Sequence, residues 1–154
     1  MKKSTILVFV LTYALFSISG FLFQLDPTWY EALAKPSFTP SGSFIGMVWI
    51  VLYALISLAV AILHQKIGLQ RISGGWLALF ILNYVLNQAF SYFQFEQKDL
   101  YAAFLDCLGV AATTLLLVIF TPKYSKAAAW LFVPYLLWSS FATYLSWLFY
   151  TMNR

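Results

Sequence analysis

The sequence predicts an all-α membrane protein, a bundle of five transmembrane helices, on three observations. Of its 154 residues, 62% are hydrophobic, 20% aromatic and only 9% charged, a balance outside the range of soluble globular domains. The apolar residues gather into five runs long enough to span a hydrocarbon core of about 30 Å at about 1.5 Å of helix per residue. The nine Lys and Arg stand singly or in pairs at the ends of those runs. That is how membrane flanks are built, so the net charge of +4 implies a lipid bilayer as partner and no nucleic acid.

The runs cover residues 6–23, 44–63, 75–95, 100–120 and 127–150, joined by connections at 24–43, 64–74, 96–99 and 121–126. All connections but the first are short, which predicts an up-and-down bundle, residues 1–154 as a single domain, with sequential helices as antiparallel neighbours. The first run, after Lys2 and Lys3 and with Ser17-Ile18-Ser19 near its end, resembles a cleavable signal peptide. It is longer than a usual signal core, and Trp29 follows too closely to leave a mature terminus outside the fold. Lys2, Lys3, Lys66, Arg71, Lys123 and Lys126 fall on one face, against Lys35, Lys98 and Arg154 on the other. This bias places the amino terminus in the cytoplasm.

The long connection is the least membrane-like stretch. Within Trp29 to Pro40 stand two aromatics, an acid, a base and two prolines; Pro36 and Pro40 each remove a backbone donor and push Lys35 and Thr39 toward extended conformations. A loop this long and so rich in side chain to pack reads as a lid over a site, with Trp29, Tyr30, Lys35, Pro36 and Pro40 as its marked residues.

Polar groups inside spanning helices are costly unless partnered, and they mark an interior or a site. The third run holds Asn83, Asn87, Gln88, Ser91 and Gln94, of which Asn83, Asn87 and Ser91 recur every four residues and share a face. The fourth contributes Asp106. Counting about 1.5 Å per residue from the turn between these helices, Asn87 and Asp106 lie at similar depth, so a hydrogen bond between them is geometrically open. Two readings stand for Asn87, an interhelical clasp and the wall of a ligand cavity. For Asp106 the clasp takes precedence, because a lone carboxyl at that depth needs a partner first.

Aromatic residues give a second signal. Trp49 and Tyr53 share a face of the second helix, and Trp138 stands too deep in the fifth to belong to an interfacial belt, whereas Trp76, Trp130 and Tyr150 are explained by that belt alone. Flat aromatic walls with a few polar groups describe a small-molecule cavity, and equally ordinary aromatic packing between helices. There is no phosphate-binding glycine loop and no nucleophile paired with histidine. His64 is the only histidine and Cys107 the only cysteine, so no metal-ligand cluster is expected.

In their order and spacing these residues resemble the TspO, or translocator protein, family of tryptophan-rich sensory proteins, once called peripheral-type benzodiazepine receptors. The resemblance rests on Trp29, Tyr30, Leu33, Lys35 and Pro36 in the loop; Trp49, Leu52 and Tyr53; Leu86 and Asn87; Asp106; and Pro134, Tyr135, Leu136 and Trp138. It implies a bacterial-type integral membrane protein, commonly a homodimer, that needs no cofactor and takes porphyrins such as protoporphyrin IX as ligand or substrate, along with isoquinoline carboxamide or benzodiazepine compounds. The implied pocket is lined by Trp49, Tyr53, Asn87, Phe90, Trp138, Ala142 and Leu145 and covered by the loop. Roles in tetrapyrrole or stress regulation, in transport of tetrapyrroles or lipids, and in light- and oxygen-dependent porphyrin degradation are all implied alternatives. Only the last would make the chain an enzyme, with Trp138 as its catalytic indole. The chain departs from the family pattern at Phe38, Ser41, Phe90, Ser91, Ala102 and Ser146.

Overall fold

The computed structural model describes residues 1–154 and contains helices and turns but no strand. Six α-helices follow one another: α1 (Lys3–Leu22), α2 (Pro27–Ala32), α3 (Gly42–Lys66), α4 (Gly74–Ser91), α5 (Leu100–Phe120) and α6 (Lys126–Met152). Five start at a short polar side chain whose oxygen accepts the N–H three residues on: Asp26 from Trp29, Ser41 from Phe44, Ser73 from Trp76, Asp99 from Ala102 and Ser125 from Ala128. Each such cap satisfies a donor that the first helical turn leaves free, worth about 1 kcal/mol. The expected runs match α1, α3, α5 and α6 to within a few residues. The third expected helix stops earlier as an α-helix, at Ser91, and continues as a single π turn over Tyr92–Glu96.

Four helices are long and apolar enough to cross a membrane: α1, α3, α5 with its 3₁₀ extension to Lys123, and α6. The fifth long helix, α4, is shorter and carries Asn83, Asn87 and Gln88, so it does not reach that hydropathy. The sixth, α2, is a single short helix inside the loop expected to be irregular. Asp26 caps it and Pro27, at its first position, needs no hydrogen-bond acceptor.

The long helices close into a ring in which α1 packs on α3, α3 on α6, α6 on α5, α5 on α4, and α4 back on α1. This corrects one expectation. Although joined by a short connection, α3 and α4 are not direct neighbours; α1 lies between them, and the 3₁₀ turn Leu69–Arg71 carries the chain past its amino-terminal end. Phe16 of α1 fills the centre, its ring 5.6 Å from Tyr53, 5.9 Å from Phe80 and 5.0 Å from Tyr84. Trp76, expected at the interface belt, is instead buried with its indole N–H donated to Thr121 Oγ1 at 3.0 Å. Trp130 does match the belt reading, at 72% exposure.

The α4–α5 contact depends on Gly109. A Cβ there would stand 3.1 Å from Leu86 Cδ1, whereas one at Gly46 would meet nothing within 4 Å. We therefore expect Gly109→Val to lower the thermal unfolding midpoint in detergent, at a cost of about 1–3 kcal/mol for overpacking, and Gly46→Val to leave it within error. Equal effects from both would contradict this account of the seam.

Candidate functional site

Within the ring, the polar residues of α4 turn inward and hold the other helices. Tyr53 Oη donates to Asn87 Oδ1 at 3.3 Å, and Asn87 Nδ2 donates to Tyr135 Oη at 3.0 Å. The Tyr135 hydroxyl donates to Asn83 Oδ1 at 3.0 Å, and Asn83 Nδ2 lies 2.8 Å from Thr113 Oγ1 and 3.0 Å from Thr114 Oγ1. Gln88 Nε2 donates to Asn87 Oδ1 and to the Phe16 carbonyl, and its Oε1 accepts from the Ser19 amide. One network thus joins α1, α3, α4, α5 and α6.

Aromatic rings stand beside it. Trp49 lies 5.6 Å from Tyr53 and 6.2 Å from Tyr135, so the expected Trp49, Tyr53 and Asn87 do come together, around a tyrosine not among the expected pocket residues. Trp138 stands apart, between Phe44 at 6.3 Å and Phe141 at 5.4 Å, with its indole N–H buried and unpartnered. It also lines an apolar groove of about 580 Å³ between α3 and α6, with Met47, Val51, Leu55 and Pro134. Ala142 and Leu145 follow Trp138 on the same face of α6, Leu145 being buried. Phe90 faces Phe95 at 6.5 Å instead of joining the tyrosine cluster.

Asp106 does not clasp Asn87. Both of its carboxylate oxygens are buried without a hydrogen-bond partner, and the α4–α5 clasp is made by Asn83 to Thr113 and Thr114. The physical reason is competition: Asn87 already has Tyr53, Tyr135 and Gln88 as partners. The small-residue stripes Gly109–Thr113 of α5 and Ser139–Thr143 of α6, the kind of face through which membrane helices associate, are used inside the bundle. Gly109 meets Leu86, Thr113 meets Asn83, and Thr143 reaches Cys107 Sγ at 3.4 Å.

The loop is fastened at three points. Asn153, at the end of α6, donates from Nδ2 to the Ala34 carbonyl and accepts the Ala34 N–H on Oδ1, both at 2.9 Å. Lys98, in the turn before α5 at φ 54°, pairs with Asp26 at 3.0 Å and stands 5.4 Å from the centre of the Trp29 ring. Phe38 stacks on Tyr144 of α6 at 6.2 Å. Lys35, one of the marked residues of the lid, is turned onto the loop itself. Its Nζ donates to the Tyr30 carbonyl at 2.6 Å and the Leu33 carbonyl at 3.2 Å, closing the carboxyl end of α2. Tyr30 packs 6.1 Å from Phe149, and burial, with the Glu31 charge second, pushes its phenol pKa up. Sequence reasoning missed Asn153 because a polar residue at a chain end carries no signal until its partner is known.

Comparisons with known proteins agree along the whole chain. The sequence model of the TspO/MBR family matches residues 6–151. The chain is 58% identical over 153 residues to "Tryptophan-rich protein TspO" of Bacillus cereus, covering 99% of each. It is 54% identical over 155 residues to "Uncharacterized membrane protein YtaB" of Bacillus subtilis, again covering 99% of each. It is 28% identical over 127 residues to human "Translocator protein", covering 82% of this chain and 75% of that one.

Two tests follow from the fastenings. Asn153→Ala removes both bonds to Ala34, so hydrogen exchange at the Ala34 amide should accelerate about two- to tenfold, the worth of one exposed hydrogen bond. Unchanged protection would show that Asn153 does not hold the loop. The Lys98 ammonium, then the Trp29 N–H, hold the Asp26 carboxyl below its ordinary 3.8. A depressed value in the folded state stabilises the fold above the ordinary value and loses that contribution as pH falls through the depressed one. The Trp29 environment, followed by fluorescence against a Trp29→Phe control, should therefore be constant from neutral pH down to about 4 and change only below it. A transition near neutrality would contradict the pairing.

Proposed function

Because the chain belongs to the TspO/MBR family and is an integral protein of the bacterial cell membrane, we propose that it crosses the bilayer five times, with α4 as the fifth span, and binds flat hydrophobic ligands inside the bundle. The ligand class is the porphyrins, protoporphyrin IX in particular, together with isoquinoline carboxamide or benzodiazepine-type compounds. The polar face of α4 supports the fifth span, because its Asn and Gln side chains are partnered inside the ring and need not meet lipid.

The observation that carries the binding reading is the meeting of Trp49, Tyr53 and Asn87 around Tyr135, on faces of α3, α4 and α6 whose backbones are bridged by long side chains. A planar macrocycle wants flat walls, which Trp49 and Trp138 offer, and a few polar groups to set its orientation. The Tyr53–Asn87 bond, at 3.3 Å longer than the 3.0 Å bond from Asn87 to Tyr135, is the contact a ligand most readily replaces. The groove between α3 and α6 suggests a lateral approach from lipid, with the loop covering the aqueous end. The chain also pairs with a second copy in this reading, through an outer face and not through the small-residue stripes.

Quenching of tryptophan fluorescence by protoporphyrin IX tests the reading. Saturable quenching is expected, weakened about tenfold, or ~1.4 kcal/mol, by Asn87→Leu; its absence in the native protein would overturn the proposal. The unpartnered indole of Trp138 favours a second reading, light- and oxygen-dependent porphyrin degradation, which the same samples address under illumination. Bleaching that Trp138→Phe slows supports it, and bleaching no faster than in lipid alone removes it.

A further inference from the structure

The end of the bundle away from the loop holds Lys2, Lys3, Lys66, Arg71, Lys123 and Lys126 and no acid. The five acids, Asp26, Glu31, Glu96, Asp99 and Asp106, stand in the loop, in the turn before α5 or in the near half of α5. The one ion pair in the chain, Lys98 with Asp26, also lies at the loop end. Six side-chain cations therefore share one end with no carboxylate to neutralise them.

Three of the six converge. Where the start of α1 meets the end of α3, a pocket of about 410 Å³ is lined by Lys2, Lys66 and Arg71 together with Ser4, His64 and Gln70, and only one of its nine lining residues is apolar. The chain bends into it at Gly68, whose φ of 89° is left-handed and whose missing Cβ leaves room for the Gln70 amide, 2.7 Å from where that carbon would stand. His64 Nε2 lies 3.2 Å from Ser4 Oγ, and its Nδ1 is buried without a partner. A cation in the last turn of α3 is what the negative end of a helix dipole favours. That accounts for Lys66, but not for Lys2 and Arg71, which come from other elements and close on the same cavity.

We propose that this pocket binds an anionic phosphate group, with Lys2, Lys66 and Arg71 supplying charge and Ser4 and Gln70 supplying neutral donors. A phosphate oxygen accepts from all of these, and Arg71 can offer two parallel N–H groups. The pocket lies where spanning helices end, at the level of lipid headgroups, and basic pockets between helices at that level are where anionic headgroups lodge. A lipid phosphate and free phosphate share this chemistry.

The full chain in neutral detergent, followed by its thermal unfolding midpoint at fixed ionic strength, separates them. Dihexanoyl phosphatidylglycerol should raise the midpoint saturably and dihexanoyl phosphatidylcholine should not. Inorganic phosphate matching phosphatidylglycerol at equal concentration would keep the site and assign it to the free anion. Lys66→Gln with Arg71→Gln should abolish the shift, and Lys2→Gln, at the exposed start of the chain where folding is not at stake, should raise the half-saturating concentration about fivefold. Lys123→Gln, on the same face but outside the pocket, should change nothing. The proposal is overturned if no anion shifts the midpoint, if phosphatidylcholine acts as well as phosphatidylglycerol, if Lys2→Gln leaves the half-saturating concentration unchanged, or if Lys123→Gln has the effect of the pocket variants.

Discussion

An apolar side chain in a bilayer gains little by leaving lipid for protein, so helix association there depends on close packing and on polar groups that must find partners. In this chain that dependence concentrates on Asn83, Asn87 and Gln88. Their amides reach the backbone of α1, the hydroxyl of Tyr53 on α3, that of Tyr135 on α6, and Thr113 and Thr114 on α5. Each bond is worth only about 1 kcal/mol in such a setting, but together they fix which faces of five helices look inward. Asn83 is fully buried and Asn87 nearly so, and the aromatic cluster of Trp49, Phe16 and Tyr84 takes its positions around them.

The two ends of the bundle are built differently. At the loop end, charges of both signs are present and are used for fastening: Lys98 holds Asp26 and Lys35 closes α2. At the opposite end only cations occur, and contacts between connections are made by neutral groups, as when the Ser73 amide donates to Tyr124 Oη at 3.0 Å. One end therefore holds itself closed, while the other keeps charge unneutralised and facing outward.

Much of this was legible in the sequence. The five apolar runs, the polar face through Asn83 and Asn87, and the unusual character of Trp29 to Pro40 all follow from composition and periodicity, because helix length and facing are local properties. What was not legible is pairing. The amide of Asn87 has several potential acceptors and donors at its depth, and only the ring order decides that it takes Tyr53 and Tyr135 and leaves Asp106 alone. The ring order is itself hidden, because a short connection limits distance without dictating adjacency, and α1 lies between α3 and α4. Trp76 shows the same limit: its position near a helix start suits a membrane interface, yet Thr121, reached only through the fold, takes it inside.

The ring is closed by its last member. In chain order, α3 and α4 each pack on α1, and α5 packs on α4, so each of these helices has a partner that precedes it in the sequence. α6, last in the sequence, stands between α3 and α5 and closes the ring. It brings Tyr135, without which Asn83 and Asn87 face an unfilled interior, and at its far end Asn153, which ties down the loop. The final helix thus both completes the polar interior and ties down one side of its cover, so two tasks at different depths of the bundle fall to one continuous element.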